Sequence, residues 1–299
     1  MAETDYVVLD PRFKPLIRFS ASVQRLYHGC AWAEGPVYVP AYRQLIWSDV
    51  VNDRMLRYDE MSGNVGIFRQ PAQYSNGNTL DFQGRLVTCQ HGTRSVTRTE
   101  FDGAITVLAA THAGKPLNSP NDVVARSDGT IWFTDPTYGI DSDYEGHKAT
   151  SEQQGAHVYR VEPDGDVVAV AADFVQPNGL AFSPDESLLY VSDTGLSHQS
   201  DGPRHIRRFA VGRNNSLSGG EIFAQCTEGV FDGFRVDREG RLWASARDGI
   251  HCYDPNGALI GKILVPERTA NLAFGGPKRN ILYICATTSL FCVRVAVNG

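Results

Sequence analysis

Pro177-Asn-Gly-Leu-Ala-Phe-Ser-Pro-Asp-Glu-Ser-Leu188-Leu-Tyr-Val-Ser192 is the stretch that decides the fold. A polar residue, Asn178, heads a short apolar run. A Ser-Pro-Asp turn follows, and a second strand begins at Leu188, ten residues after the asparagine. The same spacing recurs: Asn76 to Leu86, Asn121 to Ile131, Asp232 to Leu242 and Asn271 to Ile281 are each ten residues, and Glu34 to Leu45 is one longer. Six copies of one unit, about 40 to 50 residues each, match the period of a four-stranded propeller blade. Within the units, second strands read Leu45-Ile-Trp-Ser-Asp49, Thr130-Ile-Trp-Phe-Thr134 and Arg241-Leu-Trp-Ala-Ser245. Asp102-Gly103, Asp128-Gly129, Asp164-Gly165 and Asn256-Gly257 supply hairpin turns.

The expected architecture is therefore all-β: a six-bladed β-propeller of four-stranded blades, with residues 1–299 as one domain. Residues before Glu34, including Ile17–Val23, carry one or two strands without an anchor of their own. They are expected to complete the last blade, joining the chain ends and leaving fewer open edges. Two units are longer than the rest, with inserts near 138–154 and 195–203. Inserts in repeat proteins map to loops, often on the binding face, so these two are expected to form a lid.

Hydrophobic residues make up 42% of the chain and charged residues 21%, which describes a folded protein and excludes disorder. The net charge of -6 and the lack of a Lys/Arg run argue against nucleic acid or an anionic membrane as partner, and favour a small molecule. No apolar stretch approaches the roughly 18 residues of a membrane span, and the acidic start Met1–Asp5 has no apolar signal region, so a cytoplasmic location is expected. The six cysteines show no Cys-x-x-Cys or zinc spacing. They read as reduced thiols within strands, although Cys285 and Cys292 could face one another across a hairpin.

If each copy is one blade, the six anchors meet at the axis as a cluster of oxygen donors. Asn76 and Asn271 are read as architecture, because six side chains cannot all reach one ion. Glu34 and Asp232 differ: two carboxylates at one axis repel unless a cation or proton lies between them. Carboxylate and amide oxygens without clustered Cys or His select a hard divalent ion, calcium first, with magnesium, manganese or zinc as substitutes. Such an ion would polarise a carbonyl and lower the pKa of a bound water.

Ala33-Glu-Gly-Pro-Val37, Ser119-Pro-Asn-Asp122, Gln154-Gly155, Pro177–Asp185 and Phe231-Asp-Gly-Phe-Arg-Val-Asp237, in this order, resemble the gluconolactonase and regucalcin family of six-bladed propeller lactonases. Ser119 and Asp135-Pro-Thr-Tyr138 make the resemblance closer to bacterial gluconolactonases than to the animal members, which carry an arginine at the position of Ser119. The resemblance implies that Glu34, Asn178 and Asp232 bind the metal, that Asn121 lies beside it, and that the chain is a carboxylic ester hydrolase opening sugar lactones to aldonic acids. Asp232 is then the expected general base, a water activated by the ion being the competing source of the nucleophile. Asn121 would orient the carbonyl or a ring hydroxyl. His91, Tyr138 and Asp135 are further candidate substrate contacts. A phosphotriesterase on the same metal and a non-enzymatic calcium-binding propeller are the alternatives, and in any of these roles the protein is expected to be a monomer or a homodimer.

Overall fold

The computed structural model describes residues 5–299. Six antiparallel sheets follow one another along the chain: blade I (33–69), blade II (75–109), blade III (123–174), blade IV (177–225), blade V (234–264) and blade VI (269–294). Each blade begins with its innermost strand, each inner strand touches the next, and that of blade VI touches that of blade I, closing a six-bladed β-propeller. The Asp-Gly and Asn-Gly pairs turn the chain as expected, with Gly103, Gly129, Gly165 and Gly257 at φ between 87° and 97°. One single-turn α-helix, Tyr138–Asp141, is present among the described residues, and none is long and apolar enough to cross a membrane.

Two expectations about the chain ends are corrected. Ile17–Val23 forms no strand; the outer strand of blade VI is Gln24–His28, paired to Ser289–Arg294 with Gln24 opposite Cys292. The earlier strand, Tyr6–Val8, joins blade V as its fifth strand, with Tyr6 opposite Ile263. Between them the 3-10 turn Pro11–Leu16 inserts Phe13 into the seam of blades V and VI, against Trp243. Gly261 makes room for it: a Cβ there would lie 2.2 Å from the Phe13 ring. Sequence gave no anchor for these residues because they serve two different blades.

The core is divided among the seams between blades. Trp47, Trp132 and Trp243, each on a second strand, are fully buried, and each belongs to a different cluster. Burying such side chains contributes roughly 1.5–3 kcal/mol apiece. Cys285 lies opposite Leu290, and Cys292 opposite Tyr283, so the two thiols do not face each other; all six cysteines are free.

Around the axis the spacing is tighter than any side chain allows. A Cβ on Gly179 would lie 2.3 Å from the Asp232 carbonyl oxygen, and one on Gly77 2.5 Å from that of Asn121. A Cβ on Gly35 would lie 2.0 Å from the Asn76 carbonyl oxygen, and one on Gly233 2.1 Å from the Asn271 side-chain amide carbon. The glycine after an anchor thus lets the next blade's anchor close onto it, and Gly77 and Gly179 also donate their N–H groups to those carbonyls at 2.7 and 3.1 Å. Gly179→Ala should therefore cost about 2–3 kcal/mol, since overpacking against backbone cannot relax. Gly66→Ala, on an outer strand with open space around it, should stay within about 0.5 kcal/mol of the parent. Urea unfolding of the two variants measures the difference.

Candidate functional site

Glu34, Asn76 and Asn178 are each the second residue of an inner strand, and Asn121 and Asp232 lie two residues ahead of theirs. In blades I, II and IV the strand register breaks at the anchor, between Glu34 and Val37, Ser75 and Asn78, and Pro177 and Leu180. Such bulges take a residue out of the ladder and re-aim it. Three anchor carbonyls accept from hydroxyls of the preceding blade: Ser48 donates to Asn76 O, Thr134 to Asn178 O and Ser192 to Asp232 O, at 2.7, 2.7 and 3.0 Å. Backbone needs are met from behind, which leaves the side chains for the axis.

Those side chains bound a cavity of about 240 Å³, walled by Glu34, Asn76, Asn121, Asn178 and Asp232 and rimmed by Tyr138, Glu145 and Arg268. Asn271 is architecture as expected: its Nδ2 donates to Glu34 Oε2 at 3.1 Å, and its Oδ1 accepts from Leu272 N. Asn76 is not only that. It is on the cavity wall, and its buried Oδ1 has no partner. His91 explains the orientation. Its Nδ1 lies 2.9 Å from the Glu145 carbonyl oxygen, so Nδ1 carries the proton, and Nε2 accepts from Asn76 Nδ2 at 3.2 Å. Burial pushes the imidazole down to about 4, keeping it neutral.

His91 is thus only 1% exposed and does not line the cavity; it holds two groups that do. Asp135 also departs from expectation. It is wholly buried and accepts the Asn118 N–H at 2.8 Å, as Asp49 accepts from Ala31 and Asp193 from Val175 and Gln176. Each of these aspartates ends a second strand and ties down the loop entering its blade's anchor. Ser48-Asp49, Thr134-Asp135 and Ser192-Asp193 were the signal in the sequence for a structural repeat. Tyr138 does reach the cavity, with its hydroxyl 2.7 Å from both Thr194 Oγ1 and Ser197 Oγ. That contact and His198 Nε2 to Asp141 Oδ2 at 2.7 Å join the two inserts into one cover. Ser119 fastens it from below, donating to Pro136 O and accepting from Gly139 N.

Three residues were missed. Asp122 occupies the place of the anchor glycine in blade III and is 1% exposed, with an unpartnered Oδ2 that lies 3.8 Å from Arg235 Nη1. Its signal was Asn-Asp where four of the other five copies have glycine after the anchor. Glu145 and Arg268 belong to no repeat position and gave none. Electrostatically the centre is strained. Burial and the charge of Asp232 hold the Glu34 carboxyl well above the usual carboxylate range; burial does the same to Asp232, opposed by Arg268 and reinforced by Asp122. Burial and Asp232 push Glu145 up to about 7.

The donor set fits a hard cation. Two buried carboxylates and three amide side chains face one small cavity, and the Asn76 oxygen lacks a partner. No group of three His, Cys, Asp or Glu side chains among the described residues is arranged to hold a metal, so an ion here depends on amide and water oxygens. A propeller whose inner strands converge on an acidic, oxygen-lined cavity defines a class of small-molecule sites rather than an interaction scaffold. Residues 32–288 match the family described as SMP-30/Gluconolactonase/LRE-like region, and the chain belongs to it. It is similar to a gluconolactonase of Zymomonas mobilis, 29% identical over 97% of this chain and 85% of that one. A pentonolactonase of Haloferax volcanii is 28% identical over 85% and 81%. The solved structure of a gluconolactonase from Xanthomonas campestris superposes with a TM-score of 0.90 at 37% identity, covering 97% of this chain and 94% of that one.

Like charges at the axis make a stability prediction. Folded-state pKa values above the unfolded ones mean that cation-free protein loses stability as pH rises from the carboxylate range toward neutrality. Asp232→Asn should flatten that slope and stabilise the cation-free protein by about 1 kcal/mol at pH 8. Added calcium should raise the Tm of the parent but not of the variant. Thermal unfolding with and without chelator tests both.

Proposed function

We propose that this protein hydrolyses sugar lactones of the glucono-1,5-lactone type to aldonic acids. The observation that carries the reading is the pair of buried carboxylates, Glu34 and Asp232, facing one small cavity beside the amides of Asn121 and Asn178. The family and the names of its lactonase relatives support the substrate class.

Asp232 takes a proton from the attacking water as its oxygen adds to the lactone carbonyl carbon. The Asn121 amide donates to the carbonyl oxygen or an adjacent hydroxyl and fixes the ring's orientation. Collapse breaks the bond to the ring oxygen, which takes from Asp232 the proton that Asp232 removed from water, and the product carboxylic acid ionises to solvent. Arg268, stacked over the Trp32 ring at 5.5 Å, places a positive charge at the rim. Glu34, Asn178 and Asp232 would hold a divalent cation, calcium by preference, which would supply positive charge beside the carbonyl oxygen. The cover built from the inserts at Tyr138 and Ser197 keeps bulk water from the reacting carbon.

Six free cysteines and the absence of a basic surface run support a cytoplasmic protein acting on a small molecule. The two N-terminal strands built into blades V and VI support one domain over residues 1–299.

Chelated protein, reconstituted with Ca, Mg, Mn or Zn and assayed by pH-stat on aldonolactones and a phosphotriester, tests the reading. Lactone turnover should dominate and need the cation. Glu34→Ala and Asp232→Ala should each lower kcat/KM by about 100- to 10,000-fold and abolish calcium binding. A dominant phosphotriesterase rate, or turnover kept by the chelated double variant, would overturn it.

A further inference from the structure

Among the described residues, none pairs with the Glu145 carboxyl at the rim. It lines the cavity, yet its carboxylate accepts no hydrogen bond from any described residue, and the charges that act on it, Asp232 and Asp141, are both negative. Its backbone is nonetheless tied down. The Glu145 carbonyl accepts from His91 Nδ1 at 2.9 Å, and His147 N and Ala149 N donate to Gly139 O and Ile140 O, both at 3.0 Å. A Cβ on Gly146 would lie 2.1 Å from the Gly139 carbonyl oxygen, so the loop packs backbone on backbone beside this residue. A carboxylate carried at the rim on backbone held this firmly, among like charges, partly buried and unpartnered, is an acceptor whose donors must come from the ligand.

We propose that Glu145 is the specificity-determining residue of the cover, accepting hydrogen bonds from the hydroxyls of the lactone ring and so selecting polyhydroxylated lactones over bare ones. The assignment rests on the lactonase reading above. Geometry separates it from the reacting ester. The axial carboxylates and amides come from the inner strands or the residues just ahead of them, whereas Glu145 is on the insert of blade III, joined through Tyr138 to the insert of the neighbouring blade IV. A lactone with its carbonyl against the axis presents its remaining ring atoms to this cover. A hydroxylated ring offers the O–H donors that Glu145 lacks; an unsubstituted ring offers none and leaves the carboxylate desolvated and unpaired. The same logic gives His91 its place: by holding the Glu145 backbone on one ring nitrogen and Asn76 on the other, it sets the distance between cover and axis.

The test compares glucono-1,5-lactone with δ-valerolactone, which has the same ring without hydroxyls, for the parent, Glu145→Gln and Glu145→Ala, all with calcium. Losing hydrogen bonds to a charged group should lower kcat/KM on the hydroxylated lactone about 10- to 100-fold. The rate on δ-valerolactone should stay within about twofold or rise, and calorimetric calcium affinity should not change. Glutamine, which keeps one acceptor oxygen, should fall between parent and alanine. Equal losses on both lactones, or no loss on either, would overturn the assignment, and weakened calcium binding would make Glu145 a ligand of the ion instead. A parent that opens neither lactone would overturn the functional reading and this assignment with it, whereas an active parent with parallel losses overturns the assignment alone.

Discussion

The structure depends on how closely six inner strands can be brought to one axis. In four of the six blades there is no room for a side chain on the residue after the anchor, and Gly35, Gly77, Gly179 and Gly233 remove that obstacle. The approach that they permit has an electrostatic consequence. It turns anchor side chains toward a common centre, and two of them, Glu34 and Asp232, are acids buried with too little positive charge nearby. Folding alone does not relieve this; the divalent cation proposed above would. The architecture and the chemistry thus share one origin, in which the approach that closes the ring also brings two acids to one cavity.

Around that centre the protein separates two tasks. Hydroxyls of Ser48, Thr134 and Ser192 and carboxylates of Asp49, Asp135 and Asp193 satisfy the irregular backbone that bulging and tight turns expose. The anchors are then free to serve the cavity. Above it, two inserts from adjacent blades are joined through Tyr138 and His198, giving a cover that is fixed rather than loose. A preorganised wall of this kind favours discrimination among ring substituents, since a rigid acceptor cannot follow a ligand that lacks its donor.

Much of this was legible before any coordinates. The ten-residue spacing gave the six blades because a repeat that buries its face only against its neighbours must recur at a fixed period. Glu34 and Asp232 stood out because two carboxylates meeting at one axis repel unless a cation or proton lies between them. What could not be read was of two kinds. Asp135 looked functional because a loop aspartate beside a proline has the same composition whether it meets substrate or ties down a loop; only its equivalence with Asp49 and Asp193 separates the cases. Glu145, Arg268 and the double role of the N-terminal strands depend on contacts between segments far apart in sequence, which no local period encodes. Asn76 was underestimated for a related reason, since its oxygen is directed by His91, fifteen residues away.

The central claim is that the axial acids exist to hold a cation, and crystals soaked in manganese, a calcium surrogate with a usable anomalous signal, test it most directly. The account predicts one strong anomalous peak within coordination distance of oxygens from Glu34, Asn178 and Asp232. Its loss in Asp232→Ala should accompany loss of lactone turnover. A map without a peak on the axis, from protein that hydrolyses lactones at its full rate in the presence of chelator, would contradict it.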